Sequence, residues 1–417
     1  MMRFSVSKLA SALVAPSEPT PSGNLPLSSV DRTTAVRVTV DLILVFEHGE
    51  EPAKVIREAL SKALVPYYPV AGRIVEPNPG EPEVACTGDG VWFVEASTNF
   101  GLKDVNNLER PLMIPKDDLL PCPPHGVNTE DVILMMQVTK FTCGGFAVGI
   151  RFSHTVFDGL GVSQFLKAAT EMATGLTQPT VAPVWCREAI PNPPKRPQGE
   201  PPSFNAFPFE NSIIDLSLDS INHVRDEFIK ETGHKCSIFD VITAMVWQGR
   251  TRAIGLESHV EVRLGFAANV RHLLHEVLPQ GGGFYGNCVF PVGITSTSGK
   301  IKHASLVEVV SLIREAKESL ATKFSEWLLG DPQEDAYRVP LDYGTLVVSD
   351  WSRVGFSEVD FGWGEPIHVS PLNDDCNMVA SCIYLKPPKP KQGVRLMTRC
   401  VVMEHLASFD DLMMKSA

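Results

Sequence analysis

The hydrophobic positions in the first part of the chain follow two different periods in turn. Residues 35–46 alternate and carry many β-branched side chains, which predicts a strand. From Pro52 onward, apolar residues recur at spacings of three and four, which predicts a helix that ends near Pro66. A further strand is predicted at 91–95, after a glycine-rich turn. The chain therefore starts as interleaved strands and helices.

A β-hairpin followed by a helix is predicted near residue 150. Two strongly β-forming runs, 133–139 and 146–152, are separated by Gly144 and Gly145. A helix is predicted over 162–174, because the large apolar residues there fall on one face. This pattern brings the end of a buried strand next to the start of a helix, a place where reactive side chains are often held.

A proline-rich stretch separates the two halves of the chain. Its proline density excludes a helix or a central strand over 179–208 and predicts a long extended crossover. A chain of 417 residues exceeds what one hydrophobic core usually covers. We therefore expect an N-terminal domain at 1–180, the crossover at 181–215 and a C-terminal domain at 216–417. The prolines of the stretch are Pro179, Pro183, Pro191, Pro193, Pro194, Pro197, Pro201, Pro202 and Pro208.

The second half repeats the mixed pattern of the first. Ser237 is predicted to cap a helix, with Asp240 three residues further on, and another helix is predicted at 304–325. Strands and helices interleaved in both halves predict an α/β fold of two similar domains, with a site in the groove between them. The strands predicted here are 260–268, 288–294, 343–349, 378–385 and 394–401.

Composition and charge limit the partners and the location of the protein. The formal net charge of −12 argues against nucleic acid or an anionic membrane as the main partner. The nine Cys residues include no C-x-x-C pair and the eleven His residues no H-E-x-x-H motif. We therefore expect no disulfide framework, no bound metal and a reducing compartment. Residues 1–16 fit a signal peptide poorly. No apolar run approaches the length of a membrane span, about 18 residues, so a cytoplasmic location is expected.

One histidine lies directly after a predicted buried strand. His154 opens the sequence His-Thr-Val-Phe-Asp-Gly, with Asp158 four positions on. An imidazole has an ordinary pKa of about 6.5, so a histidine can accept a proton near neutral pH. Asp158 could hold the local turn by a salt bridge or by backbone hydrogen bonds. The pattern by itself equally fits a histidine that is hydrogen-bonded in the core, so the role of His154 stays open at this point.

A second short motif is Asp-Phe-Gly-Trp-Gly at 360–364. Two glycines flank a tryptophan after an aspartate, which predicts a tight loop with backbone angles that glycine adopts most easily. We interpret Asp360, Gly362, Trp363 and Gly364 as structural residues that shape the site and transfer no proton.

Together, the H-x-x-x-D-G and D-F-G-W-G motifs resemble those of the BAHD acyltransferases of plants. The resemblance covers essentially the whole chain. It includes the segments YYPVAGR at 67–73, CTGDGVWFVEA at 86–96 and FTCGGFAVG at 141–149. LERPLMIPKDDLLP at 108–121 and FYGNCVFPV at 284–292 resemble the branch that holds benzoyl-, taxane- and grass p-coumaroyl-CoA monolignol transferases.

The resemblance implies a fold and a set of residue roles. It implies two chloramphenicol-acetyltransferase-like domains with the active site in a channel between them, which acyl-CoA and the acceptor enter from opposite mouths. His154 would be the general base, and Asp158 would point away from the substrate and pair with Arg271. Ser349 and Trp351 match the family's hydroxyl-x-Trp pattern, and the indole N–H of Trp351 is the expected oxyanion donor.

The resemblance also implies how the substrates are held. Lys235 and Ser237 match the segment that contacts coenzyme A, although an ordinary capped surface helix fits that segment nearly as well. Phe157 is expected to border the acyl tunnel. Acyl-CoA is the expected co-substrate, with no permanently bound cofactor, and the protein is expected to be a monomer.

The expected reaction is transfer of a hydroxycinnamoyl or benzoyl group from CoA to an alcohol, such as a monolignol or another specialised metabolite, without an acyl-enzyme. One alternative is an N-acyltransferase that makes amides from an amine. Another is a condensation-type domain, but those prefer two consecutive histidines, and Ser153 precedes His154 here. The last is an inactive relative that serves as a binding or scaffold protein, although the expected catalytic positions are all filled.

Overall fold

A computed structural model describes residues 4–123, 128–193, 205–330, 336–338, 340–373 and 377–415. Four prolines of the expected crossover, Pro194, Pro197, Pro201 and Pro202, lie outside these residues. The strands are β1 (Val6–Val14), β2 (Asn24–Pro26), β3 (Thr39–Phe46), β4 (Arg73–Asn78), β5 (Glu81–Ala85), β6 (Val91–Thr98), β7 (Leu134–Lys140), β8 (Phe146–Ser153), β9 (Phe209–Leu216), β10 (Glu261–Asn269), β11 (Val289–Thr297), β12 (Thr345–Asp350), β13 (His368–Pro371), β14 (Ala380–Leu385) and β15 (Val394–Val402). The helices are α1 (Pro52–Ala63), α2 (Lys116–Leu119), α3 (Gly159–Ala173), α4 (Leu218–Thr232), α5 (Ile238–Ile254), α6 (Ser298–His303), α7 (Leu306–Glu318), α8 (Leu320–Leu329) and α9 (Met403–Met414).

The chain packs as two compact units, and neither unit is one continuous stretch. The first comprises Met1–Asn192, Leu274–Cys288 and Arg353–Asp374, and the second comprises the remaining segments. This division differs from the consecutive domains expected at 1–180 and 216–417. Two segments from the second half of the chain belong to the first unit, and hydrophobic periodicity cannot reveal this because it reports local structure only.

The first unit is built on a six-stranded mixed sheet in the order β1-β6-β7-β8-β3-β13. The hairpin predicted around Gly144 is confirmed, because β7 and β8 pair antiparallel and Gly144 adopts a positive φ of 87°. Helices α1 and α3 pack against each other in this unit. Helix α1 begins at Pro52, as predicted, whereas α3 begins at Gly159 and not at residue 162. The earlier start follows from the cap that Asp158 provides.

The second unit contains a six-stranded sheet in the order β11-β10-β12-β14-β15-β9. Strand β9 corrects the expected crossover, because residues 209–215 belong to this edge strand and pair with β15. The last proline of the proline-rich stretch is Pro208, so every backbone N–H of β9 is available for hydrogen bonds between strands. The helix predicted at 304–325 is also wrong as one element, since α7 ends before Ser319 and α8 follows. The Ser319 hydroxyl donates to the Ala316 carbonyl (2.8 Å), a local bond that competes with regular helix.

The strands predicted for the second half are otherwise confirmed to within three residues as β10, β11, β12, β14 and β15. In the second unit, helix α5 runs through the core, and nearly all of its residues are buried. Across the described ranges, no helix combines the length and the apolar character needed to cross a membrane.

Candidate active site

His154 lies in the short connection between β8 and α3. Its backbone N–H donates to the carbonyl of Val38 (2.9 Å), and the preceding N–H of Ser153 donates to the carbonyl of Ile133 (2.9 Å). Two residues after His154, the N–H of Val156 donates back to the carbonyl of Ser153 (3.2 Å) and closes a turn. The His154 side chain therefore projects from a backbone that is held by the sheet on one side and by a turn on the other.

The ring of His154 presents one nitrogen only. The residue is half-buried, and its Nδ1 atom is enclosed without a hydrogen-bond partner among the described residues. The ring centroid lies 6.5 Å from that of Phe152. A neutral imidazole carries a proton on one nitrogen and a lone pair on the other. With Nδ1 enclosed, Nε2 is the atom left to meet a substrate, and an orphaned Nδ1 disfavours the alternative of a histidine satisfied in the core.

Asp158 organises the backbone around the start of α3. It is buried, and its Oδ1 accepts the N–H of Gly161 (2.8 Å) as the N-cap of the helix, while its Oδ2 accepts the N–H of Cys288 (3.1 Å). The helix start packs closely on the segment before Cys288, because a Cβ on Gly161 would lie 2.0 Å from the carbonyl oxygen of Tyr285. Asp158 thus joins α3 to the segment 285–288.

A buried polar group, which we call the Asp31 cluster, consists of Asp31, Arg187 and Asn287, all 0% exposed. The Nδ2 of Asn287 donates to the carbonyl of His154 (2.7 Å) and to Oδ1 of Asp31 (2.8 Å). The Nε of Arg187 donates to Oδ2 of Asp31 (2.9 Å). The guanidinium carbon of Arg187 also lies 3.6 Å from the ring centroid of Trp185, a cation–π contact. The carboxylate of Asp31, whose charge Arg187 compensates, is thus linked to the carbonyl of His154 through one side chain, that of Asn287.

Sequence reasoning did not assign roles to the Asp31 cluster. Asn287 lies in the segment FYGNCVFPV, which carried part of the family resemblance but no interpretation of single residues. Asp31 and Arg187 are 156 positions apart and belong to no short motif. They meet only in the folded structure, so a single sequence read without an alignment gives no signal for their contact.

Phe157 packs inside an aromatic cluster of the first unit. Its ring centroid lies 5.9 Å from that of Tyr285, 6.1 Å from that of Phe165 and 6.2 Å from that of Phe152. Burial raises the pKa of the neighbouring Tyr67 to about 12, so that phenol stays protonated at neutral pH. The side chain of Phe157 is fully enclosed, which is the environment of a packing residue. Its expected place beside an acyl tunnel stays a prediction.

The loop 360–364 lies at the opposite end of β8 from His154. Oδ1 of Asp360 accepts the N–H groups of Gly362 (2.7 Å) and Gly364 (2.8 Å), and both glycines have positive φ. The rings of Trp363 and Phe146, the first residue of β8, pack in a T-shaped arrangement with their centroids 5.6 Å apart. At about 3.3 Å per residue, this contact is roughly 25 Å along the strand from His154. These bonds and backbone angles are those of a structural turn with an aromatic plug, and the expected part of the loop in shaping the site stays a prediction.

We predict that Trp363→Ala affects stability and not turnover. Loss of the edge contact with Phe146 should lower the free energy of unfolding by about 1–3 kcal/mol. The kcat of the folded enzyme should stay within about twofold, because the reacting groups do not move. Urea denaturation and steady-state kinetics measure the two effects separately, and Asp360→Asn, which keeps the acceptor oxygen, is the milder control. A large fall in kcat with unchanged stability would contradict this placement.

Ser237 and Lys235 lie at the start of α5 in the second unit. The predicted cap is confirmed, because the Ser237 hydroxyl oxygen accepts the N–H of Asp240 (3.1 Å) and Oδ2 of Asp240 accepts the N–H of Ser237 (2.8 Å). Lys317 of α7, which sequence reasoning missed, places its Nζ 2.7 Å from Oδ1 of Asp240 and 3.4 Å from the Ser237 hydroxyl. Lys235 is exposed. At this helix start the capping box thus bonds the N–H groups of Ser237 and Asp240, and Lys317 forms an ion pair with Asp240.

The remaining candidate residues also belong to the second unit. Ser349 lies in β12, and Trp351 follows that strand and donates its backbone N–H to the carbonyl of Tyr384 (2.9 Å). Arg271 follows β10, and its backbone N–H donates to Oδ1 of Asn269 (3.1 Å). The structure thus brings His154 and Asp158 together in one unit. The pairing of Asp158 with Arg271 and the approach of Trp351 to the substrate stay predictions.

Comparison with known proteins gives matches over nearly the whole chain. A family model described as "Transferase family" matches residues 4–415. The chain is 48% identical, over 434 residues, to the myricetin 3-O-glucosyl 1,2-rhamnoside 6'-O-caffeoyltransferase AT2 of Crocosmia x crocosmiiflora, which covers 99% of both chains. It is 36% identical, over 431 residues, to the 3'-N-debenzoyl-2'-deoxytaxol N-benzoyltransferase of Taxus canadensis, which covers 98% of this chain and 96% of that protein.

The fold also matches a known structure over nearly the whole chain. The crystal structure of vinorine synthase aligns with a TM-score of 0.75 at 21% identity and covers 97% of this chain and 96% of that one. This likeness confirms the α/β fold of two sheet-and-helix units that the family resemblance implies. Family model, relatives and fold agree, so the chain belongs to this transferase family, the BAHD acyltransferases, and is an acyltransferase.

Proposed function

We propose that this acyltransferase moves an aromatic acyl group, hydroxycinnamoyl or benzoyl, from coenzyme A to a hydroxyl group, with His154 as the general base. The ring of His154 carries this proposal, since its enclosed Nδ1 leaves Nε2 to accept a proton. The donor class is supported by the names of two relatives, a caffeoyltransferase and a benzoyltransferase. Condensation-type and scaffold alternatives are set aside, because the family assignment and the named relatives point to an acyltransferase.

The proposed reaction proceeds in two proton-coupled steps. Nε2 of His154 accepts the hydroxyl proton as the acceptor oxygen attacks the thioester carbonyl carbon, which forms a tetrahedral oxyanion. The oxyanion then collapses, the bond between carbon and sulfur breaks, and the protonated His154 returns its proton to the departing CoA sulfur. The ester and free CoA leave, and His154 is again neutral. No acyl-enzyme is needed, because acceptor and donor react directly.

The developing oxyanion needs a hydrogen-bond donor. A preorganised donor at this place is worth several kcal/mol of transition-state stabilisation. We propose the indole N–H of Trp351, with Ser349 beside it in sequence, because both match the family's hydroxyl-x-Trp pattern. For coenzyme A, we propose Lys235 and Ser237, which match the family's coenzyme A-contacting segment at the start of a helix.

A sugar hydroxyl of a flavonol glycoside is the acceptor to test first. Two relatives that are 48% and 49% identical are named as transferring a caffeoyl group to myricetin 3-O-glucosyl 1,2-rhamnoside. An amine is the second candidate, because the Taxus relative is named as an N-benzoyltransferase. An amine must be deprotonated before it attacks, so amide formation should rise more steeply with pH than ester formation.

A thiol-release assay tests donor and acceptor together. The purified chain is incubated with caffeoyl-, p-coumaroyl-, benzoyl- or acetyl-CoA and with myricetin or quercetin 3-O-glycosides, monolignols and aliphatic amines. We expect CoA release that depends on both an aromatic donor and a hydroxyl acceptor, with the ester identified by mass spectrometry. Release with acetyl-CoA alone would contradict the aromatic donor class. Release with amines alone would favour the amide alternative.

A further inference from the structure

We propose that Asn287 and Asp31 are positioning residues that hold the peptide of His154, and through it the imidazole, in the orientation needed for base catalysis. The inference rests on the proposed function, because it assigns the base to His154. It concerns residues outside the two motifs, and it explains how the ring is oriented although no side chain in the described part of the chain holds its Nδ1 atom.

The orientation of the His154 ring has to come from its backbone and its packing. A general base of this kind usually has its second ring nitrogen bonded to a carboxylate or a carbonyl, which sets the ring and its tautomer. Nδ1 of His154 has no such partner among the described residues. The two polar atoms of its main chain, in contrast, are both bonded: the N–H to Val38 (2.9 Å) and the carbonyl to Asn287 (2.7 Å).

Asn287 holds the carbonyl oxygen of His154, and its side-chain amide can do so in one orientation only. Its Nδ2 has two hydrogens, and the two shortest acceptors are the His154 carbonyl (2.7 Å) and Oδ1 of Asp31 (2.8 Å). The backbone N–H of Asn287 also donates to Oδ1 of Asp31 (3.0 Å). A flipped amide would place its oxygen against both acceptors, so the orientation observed is the one the surroundings allow.

Asp31 is in turn held from the other side. Its Oδ2 accepts Nε of Arg187 (2.9 Å) and the backbone N–H of Ser28 (3.0 Å). The carboxylate is completely buried, and Arg187 compensates its charge at the same depth. The resulting chain runs from Arg187 through Asp31 and Asn287 to the carbonyl of His154, and its links are hydrogen bonds of 2.9, 2.8 and 2.7 Å.

The neighbour of Asn287 controls the other end of the same connection. The N–H of Cys288 donates to Oδ2 of Asp158 (3.1 Å), while Asn287 donates to the carbonyl of His154. Two consecutive residues thus hold both ends of the five-residue connection from His154 to Asp158. A shift of either end would move the base relative to the acceptor hydroxyl, and displacements of about 1 Å can cost roughly 100-fold in rate.

Asn287→Ala tests the inference, with Asn287→Asp as a second, nearly isosteric variant that replaces the donor by an oxygen. We expect kcat to fall about 10- to 100-fold in Asn287→Ala while KM for caffeoyl-CoA stays within about twofold. Gln137→Ala is the matched control. Gln137 is a buried amide of the same unit whose Nε2 donates to the Asp118 carbonyl (2.7 Å) and the Thr139 hydroxyl (3.0 Å). Its oxygen, like that of Asn287, has no hydrogen-bond partner within the described ranges.

A double-mutant cycle separates positioning from general damage to the fold. If Asn287 acts through His154, Asn287→Ala should change the residual rate of His154→Ala by no more than about twofold. An equal fall in both backgrounds, or a fall in kcat no larger than that of Gln137→Ala at the same loss of melting temperature, would overturn the inference. Full activity of His154→Ala would contradict the proposed function itself, whereas an inactive His154→Ala beside a fully active Asn287→Ala would contradict the positioning role alone.

Discussion

His154→Ala should lower kcat by roughly 10²- to 10⁴-fold, the range in which one general base contributes to a reaction. Without the imidazole, the acceptor hydroxyl must attack as a neutral group or lose its proton to water. Binding of acyl-CoA should change little, because this prediction gives the ring a role in proton transfer only. The measurement is steady-state thiol release with the donor and acceptor that the wild-type chain turns over.

Two controls make this result specific to base catalysis. His259→Ala changes an exposed histidine of the second unit and should leave kcat unaltered within about twofold. Circular dichroism and the melting temperature of His154→Ala should match those of the wild type, since the side chain is half-buried and its Nδ1 makes no hydrogen bond to the described residues. A folded His154→Ala enzyme with wild-type kcat would exclude the proposed mechanism.

Arg187→Leu should cause the largest loss of stability that we predict. The salt bridge to Asp31 is completely buried, and removing one member of such a pair leaves an uncompensated charge, at a cost of about 3–5 kcal/mol. The variant also loses the stacking of the guanidinium on Trp185. Urea denaturation followed by tryptophan fluorescence measures the effect, and Trp185 lies next to the changed residue.

The control for Arg187→Leu is a substitution in a solvent-exposed ion pair of the same unit. Lys54 and Glu51 are 3.7 Å apart with side chains 64% and 68% exposed, so Lys54→Ala should cost no more than about 1 kcal/mol. Equal stability losses in the two variants would show that burial of the Asp31 pair has no special weight. That outcome would also weaken the role of Asp31 as a fixed support for Asn287.

Local patterns predicted the elements well and their assembly poorly. The start of α1 at Pro52, the hairpin of β7 and β8 and the cap of α5 all follow from signals within a few residues. Strand β9 was assigned to the crossover, because the prolines before it obscured a short edge strand. The break at Ser319 depends on one hydroxyl that competes for a carbonyl, which apolar periodicity does not register.

The candidate site shows the same division between local and distant information. The positions of His154 at a strand end and of Asp158 at a helix start were visible in the sequence, because each depends on its neighbours. The contact of Trp363 with Phe146, at the opposite end of β8 from His154, was not visible in the sequence, because it depends on which end of the strand the loop packs against. Asn287 and Asp31 were missed because their roles arise from contacts between segments more than 100 residues apart.

The discontinuous first unit has a consequence for how the protein is made. Strand β13, at residues 368–371, pairs with β3 at residues 39–46, so the sheet is incomplete until most of the chain has left the ribosome. During synthesis the largely buried strand β3 has an open edge, which is a template for pairing with other chains. Pairing across so many residues also slows folding. Expression at low temperature should therefore raise the soluble yield, and a fragment that ends at the proline-rich stretch should aggregate.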